Sequence, residues 1–356
     1  ENEYLKIISL TGKIGYINKE NTNLVEDNVT RVSKLNEIRD TKNLDKVNLI
    51  WDSISSYNDK KNFSVDKNDS LNIISPTWFS LNVEGIVINE ASLKYMEEAH
   101  NNEYQVWALY KNSFNSDWTN QLLTNDEYVD KSIAQMLFYS SLYNIDGINI
   151  DFENIYLKNK DGLTEYIAKI RKYTKMQNIV LSIDAVVPGG SDRYSKVIDR
   201  ENIIDNVDYF ILMAYDEHWG TSPKSGSVAS IPWVIKGIEG TLKTVDSEKL
   251  VLGVPLYTRV WTEKNNKVSS KAYSIKNIGS YLEDIDYKLT YDEKLGQNYI
   301  ETKKNGNTIK IWLEDKESII KRINLINEYS LKGIAGWRKG YEEDYYYDLI
   351  DIYLKY

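Results

Sequence analysis

The chain has 356 residues, 42% hydrophobic and 27% charged, and its 44 Lys and Arg against 53 Asp and Glu give a net charge of −9. That much apolar sequence supports one large domain or two medium ones, and the acidic balance argues against a phosphate-gripping groove or a basic patch for a membrane surface. With no cysteine, thiol nucleophiles, disulfides and Cys-based metal centres are excluded, and only two histidines, His100 and His218, disfavour a multi-His metal site, which leaves carboxylates, tyrosines and amides for any chemistry.

In chain order, the first residue is Glu1 rather than Met, which is expected either if a leader and upstream region were removed or if the sequence is a segment excised from a longer chain. Residues 4–17 (YLKIIS, Thr11-Gly12, KIGYI) read as a short hairpin. It is either an ornament capping the main fold or the last two strands of an upstream module, and residues 1–30 are set apart on that ground. From about residue 45, β-branched runs alternate with amphipathic stretches. Strands are expected at 47–52, 71–79, 104–110, 146–153, 178–184, 207–215, 249–257 and 332–338. Helical patterns lie at 125–143, 161–175, 230–243, 314–330 and 342–355, with Asn125-Asp126 placed to cap the first and Pro232 tolerated in an opening turn. Eight strands with intervening helices predict an α/β protein, a (β/α)8 barrel spanning residues 31–356. Residues 258–313, with an Asn305-Gly306 hairpin turn, read as a small α+β insertion between strands seven and eight. No apolar run approaches the ~20 residues that span a bilayer, so no membrane insertion is expected.

The stretch Asp146-Gly147-Ile148-Asn149-Ile150-Asp151-Phe152-Glu153 carries the chemistry. Alternate residues of a strand share a face, so Asn149, Asp151 and Glu153 line one side while Ile148, Ile150 and Phe152 pack outward against helices. Polar groups in a row inside a barrel are costly unless they bond each other or a ligand. Glu153 falls at the C-terminal end of its strand, where such barrels hold their catalytic groups. An acidic, solvated surface strand is the plainer alternative, and the alternation with large apolar residues disfavours it.

This octapeptide resembles the DxxDxDxE signature of the family 18 glycoside hydrolases, the chitinase-like barrels. Met213-Ala214-Tyr215-Asp216 resembles that family's sixth-strand Met-x-Tyr-Asp motif, and Trp337 in AGWRKGYE its eighth-strand tryptophan. MAYDEHWGTSP, GVPLYTRVW and Asn149 resemble the bacterial spore-cortex-lytic N-acetylglucosaminidases, and the 4–17 hairpin resembles the end of an SH3-like wall-binding module. The resemblance implies that Glu153 is the general acid and then base, that Asp151 orients the substrate's 2-acetamido group, and that Tyr215 bonds its carbonyl. Asp216 would hold sugar hydroxyls, Trp337 would floor the reactive sugar, and Met213 would pack beneath it. Asn149 departs from the general pattern, an aspartate, and its amide is expected to donate to Asp151.

The other tryptophans divide by position. Trp51 and Trp107 are expected to pack, whereas Trp78, Trp219 and Trp261, at or beyond strand ends, are expected to line sugar subsites. Glu217 and His218 fall near the cleft. A metal held by Asp216, Glu217 and His218 is disfavoured, because adjacent residues on one turn rarely converge on one ion. Arg259 and Arg338 would bind a substrate carboxylate or pair with local acids. The resemblance thus implies a retaining, substrate-assisted glycosidase acting after N-acetylglucosamine, outside the cytoplasm, on peptidoglycan or spore cortex. No cofactor, metal or nucleic acid is expected. A chitinase or an endoglycosidase of N-glycans, and from another class a non-catalytic carbohydrate-binding protein, are the alternatives.

Overall fold

The computed structural model describes residues 4–8, 14–21, 44–54 and 67–355. Eight parallel strands form its centre: β1 Val47–Asp52, β2 Ile73–Pro76, β3 Gln105–Lys111, β4 Gly147–Asp151, β5 Val180–Val186, β6 Tyr209–Met213, β7 Leu250–Pro255 and β8 Gly333–Trp337. Each pairs with the next, and β8 pairs with β1, so the sheet closes into a barrel. Around it run α1 Leu93–Asn101, α2 Asp126–Tyr143, α3 Lys160–Met176, α4 Ile231–Thr241, α5 Lys316–Glu328 and α6 Tyr345–Tyr353. The Asn125 side chain accepts from Glu127 N and Tyr128 N and so caps α2, and Pro232 sits in the first turn of α4.

The period-two alternation of the strands builds two separate apolar layers. Inside the barrel, Val47, Leu49, Trp51, Trp107, Val180 and Ile211 pack together. Between strands and helices, Ile50, Ile74, Ile148, Ile150, Ile183 and Leu252 join the helical side chains in the larger core. Phe152 belongs to that outer layer, its ring 5.0 Å from Tyr110 and 6.0 Å from Tyr166 of α3.

Several strands are shorter than their patterns predict: 146–153 stops at Asp151, which leaves Phe152 and Glu153 just beyond it, and 207–215 yields Tyr209–Met213. The run 71–79 yields a strand only to Pro76, which has no N–H for a ladder, and the Trp78 N–H turns back onto the Pro76 carbonyl at 2.8 Å. A small hairpin, Phe79–Leu81 with Val87–Asn89, then packs at the rim beside β3.

Between β7 and β8, a five-stranded antiparallel sheet forms from residues Tyr257–Lys264, Lys267–Ser274, Leu289–Asp292, Gln297–Lys304 and Asn307–Trp312, with the helix Ile275–Glu283 against it. Asn305 and Gly306 take the positive φ of 51° and 75° that the tight hairpin needs. Near the start of the chain, Tyr4–Ile8 pairs antiparallel with Ile14–Asn18. The Thr11-Gly12 turn and the boundary drawn near residue 30 lie outside the described residues. Among the described residues, no helix is long and apolar enough to cross a membrane.

Candidate active site

The C-terminal ends of β4, β6 and β8 bring Asn149, Asp151, Glu153, Tyr215, Asp216 and Trp337 to one mouth of the barrel. Asp146, at the other end of the octapeptide, lies away from them. Its Oδ2 accepts the Val106 N–H at 2.8 Å and faces His100 Nε2 at 2.8 Å.

Asn149 is fully buried and all its bonds are polar contacts inside the barrel. Its Oδ1 accepts from Trp51 Nε1 at 3.0 Å and Ser75 Oγ at 3.2 Å, and its Nδ2 donates to Ser182 Oγ at 3.0 Å and Asp184 Oδ1 at 2.7 Å. The expected donation to Asp151 is therefore corrected. The Trp51 indole N–H, which can only donate, fixes which way the amide faces, and its NH₂ is turned toward β5. Asp184, 2% exposed, was not singled out in the sequence. The signal that could have found it is a charged residue at an inward position of the apolar run VLSIDAV.

Burial dominates the electrostatics. It pushes the Asp151 carboxyl up to about 6, opposed by the positive charge of Lys111, its register partner on β3. Glu153 is held well above the usual carboxylate range by burial first, then by the charges of Asp151 and Asp216. Asp184 is raised in the same way, by burial and then by Asp151. Three neighbouring carboxyls thus resist ionising together, which is how a protein keeps one of them an acid near neutral pH. Asp151 Oδ1 is buried and has no hydrogen-bond partner among the described residues. An unpaired buried acceptor is unfavourable, and a ligand N–H would satisfy it.

The aromatic floor is built from strand ends. Trp51 stands edge-on to Trp337, with centroids 5.8 Å apart, and to Tyr215, 6.4 Å apart. Trp337 itself is half-buried. Met213, the last residue of β6, is buried, 7% exposed. Burial, together with the field of Asp184 and Asp151, raises the Tyr215 phenol and so keeps it a neutral O–H donor.

Asp216 takes a left-handed backbone, φ 59°, which a short polar side chain tolerates. Its Oδ1 accepts from Tyr257 OH at 2.7 Å and Arg259 Nη2 at 3.0 Å. Both partners come from the first strand of the inserted sheet, so Arg259 pairs with a local acid. Arg338 likewise donates to Tyr341 OH at 3.0 Å. Glu217 Oε2 accepts the Ser230 N–H at the start of α4, at 2.8 Å, and His218 Nδ1 lies 2.9 Å from the Ser227 carbonyl oxygen. Asp216, Glu217 and His218 therefore face separate partners instead of one point.

The structure corrects two of the aromatic expectations. Trp78 is fully buried edge-to-face on Tyr95, 5.0 Å away, because the chain doubles back after Pro76 and drives the ring into the helix layer. Trp261 is fully buried too, its Nε1 bonded to the Gly226 carbonyl at 2.8 Å. Neither ring can stack on a sugar. Trp219 is 51% exposed, with Nε1 on Thr221 Oγ1 at 3.0 Å. Trp51 and Trp107 pack as expected, the latter stacked 5.1 Å from Tyr209.

The sequence profile of glycosyl hydrolases family 18 matches residues 93–342. Similar proteins include the uncharacterized glycosylase YvbX of Bacillus subtilis, 22% identical over 79% of this chain and 84% of that protein. The cortical fragment-lytic enzyme of Bacillus subtilis is 24% identical over 63% of this chain, which spans only 54% of that relative's length. Among solved structures, the spore cortex-lytic enzyme SleL of Bacillus cereus superposes with a TM-score of 0.77 at 18% identity, over 87% of this chain and 75% of that one.

Proposed function

Because the chain belongs to glycosyl hydrolase family 18, we propose that it cleaves β-1,4 bonds after N-acetylglucosamine in peptidoglycan, with spore cortex as the favoured form, using the substrate's own 2-acetamido group as nucleophile. In the first step Glu153 donates its proton to the glycosidic oxygen as the C1–O bond breaks. The acetamido oxygen attacks C1 and an oxazolinium forms. Asp151 accepts the acetamido N–H and stabilises the positive charge there, while Tyr215 donates to the acetamido oxygen. In the second step the Glu153 carboxylate takes a proton from water, which attacks C1 and reopens the ring. Trp337 floors the sugar, Asp216 holds its hydroxyls, and exposed Trp219 offers a surface to a neighbouring ring.

The observation that carries this reading is the pairing of a raised Glu153 with a half-buried Asp151 whose buried Oδ1 is unsatisfied among the described residues. An acid that keeps its proton and a carboxylate with a free acceptor are what the two steps need. Peptidoglycan lies outside the cytoplasm, so the proposed place of action is extracytoplasmic. The hairpin at 4–18 is read, on the same proposal, as the end of an SH3-like wall-binding module, and residues 31–356 as the glycosidase unit. Such a module would compensate for the weak electrostatic grip of a protein of net charge −9 on anionic wall polymers.

Mass spectrometry of products from purified spore cortex, vegetative peptidoglycan and chitin oligomers, with Glu153→Gln as control, tests the proposal. Cortex or peptidoglycan fragments ending in reducing N-acetylglucosamine, absent with the variant, are expected. Cleavage of chitin oligomers alone would overturn the substrate, and equal products from the variant would overturn the role of Glu153.

A further inference from the structure

Glu153 lies two residues beyond the end of β4, where the ladder between β3 and β4 has stopped at Lys111 and Asp151. The chain after β3 leaves at once, because Ser113 and Phe114 both take left-handed backbone conformations, φ 55° and 56°. What continues the pairing is a side chain. Asn112, 1% exposed, accepts the Glu153 N–H on Oδ1 at 3.1 Å and donates from Nδ2 to the Glu153 carbonyl at 2.7 Å. Its remaining capacity is filled as well: Oδ1 accepts the Phe114 N–H at 3.2 Å, and Nδ2 donates to Thr119 Oγ1 at 2.8 Å. Thr119 is itself buried and fixed by donating to the Asn115 carbonyl at 2.7 Å. One residue on, Asn154 Nδ2 donates to the Phe114 carbonyl at 2.8 Å, and the Asn154 carbonyl accepts from Ser116 Oγ at 2.6 Å.

We infer that Asn112 is the positioning residue of the general acid, an amide clamp that holds the main chain of Glu153 where its carboxyl reaches the glycosidic oxygen. The inference rests on the proposed role of Glu153. An amide presents a donor and an acceptor side by side at every pH, so it takes both the N–H and the C=O of one residue. A carboxylate of the same shape cannot. In Asn112→Asp an ionised carboxyl would set its second oxygen against the Glu153 carbonyl, acceptor against acceptor, so at pH values above that carboxyl's pKa the clamp opens without a change of volume.

The test compares kcat/KM, which reports steps up to departure of the leaving group, on two substrates. A chitin or peptidoglycan oligosaccharide has a sugar leaving group that needs the acid's proton, and a dinitrophenyl glycoside of the same sugar does not. For Asn112→Asp the expected loss is ~100-fold on the oligosaccharide, the scale of a misplaced group, but less than ~5-fold on the aryl glycoside. Thr119→Val, which removes an anchor of Asn112 and leaves Glu153 untouched, should lose a few-fold with the same split, and it carries the test if Asn112→Asp does not fold. Loss on both substrates alike, or no loss on either, overturns the clamp. Glu153→Gln, assayed in parallel, separates the two readings. If it shows the leaving-group split and the Asn112 and Thr119 variants do not, the clamp alone fails. If Glu153→Gln keeps its oligosaccharide activity, the acid assignment fails and the clamp with it.

Discussion

Position 149 shows how much a single amide decides. Asn149 receives Trp51 and Ser75 on its oxygen and gives its NH₂ to Ser182 and Asp184, so it orders the barrel interior below the acids without adding charge. A carboxylate there would keep the donors from Trp51 and Ser75, and a protonated Asp184 could donate to its other oxygen. We therefore expect Asn149→Asp to stay active. Added negative charge raises the pKa of Glu153, which in the proposed mechanism acts in its protonated form, so the alkaline limb of the kcat/KM profile is expected to move to higher pH. A folded but inactive variant, or a limb that moves to lower pH, would count against this.

Asp184 gives a stability test with a definite sign. Its folded-state pKa lies above the unfolded value because of burial and Asp151. Below the unfolded pKa both states hold the proton, and titration changes nothing. As pH rises past it the unfolded state ionises more readily and the native state loses stability. Asp184→Asn removes that loss while keeping an acceptor for Asn149, so its gain in Tm should be larger at pH 8 than at pH 5. Calorimetry at the two pH values decides it; an equal or smaller gain at pH 8 contradicts the picture. The sequence exposed Asn149, Asp151 and Glu153 because they follow one another at period two along one run of chain. Asp184 and Asn112 reach the same place from other strands, and a contact across strands leaves no spacing to read.

For whole elements, hydrophobic period and turn chemistry were enough. Each of the eight barrel strands forms where its apolar run predicted, and Asn125 and Pro232 open their helices as expected. What the pattern could not show is how the chain behaves just past a strand end, and that is where Trp78 was misread. The run 71–79 looks continuous, yet Pro76 ends the ladder and buries the ring behind it. Close approach between strands was equally hidden. A Cβ on Gly333 would lie 1.8 Å from the Val47 carbonyl oxygen, at the junction where β8 meets β1 and the barrel closes. Backbone on both sides leaves no side chain to give way, so Gly333→Ala should cost about 1–3 kcal/mol or more. Denaturant unfolding measures it, and an unchanged midpoint would show that the junction is looser than the structure has it.

At the scale of the molecule, the inserted sheet does more than decorate the rim. Its first strand supplies Tyr257 and Arg259 to Asp216, and its strand 297–304 reaches a buried ion pair behind the same loop. Arg322 of α5 faces Glu314, with Nη1 2.7 Å from Oε2 and Nη2 2.9 Å from Oε1, and both side chains are at most 1% exposed. Gln297 donates to Glu314 at 2.9 Å and accepts from Ser227 Oγ, and Arg322 donates to the Ala229 carbonyl at 2.5 Å. The pair thus ties the insertion, α5 and the far limb of the post-β6 loop together. Arg322→Met leaves a buried carboxyl without its partner and should cost about 3–5 kcal/mol. Adding Glu314→Leu should restore most of that, a recovery a double-mutant cycle would detect. No recovery would show that Arg322 acts through packing alone. The sequence marked the insertion by its hairpin turn, but bonds among residues 216, 229, 257, 297 and 322 depend on the closed fold and could not be read before it.

In the proposed reaction the substrate acts as its own nucleophile beside Glu153, which would make cleavage retaining. The most direct measurement is proton NMR of the anomeric region during the first minutes of hydrolysis of a β-linked N-acetylglucosamine oligosaccharide that the enzyme cuts. The account predicts that the new reducing end appears as the β-anomer and only later mutarotates to α. An α-anomer formed first would mean direct attack by water and would contradict it.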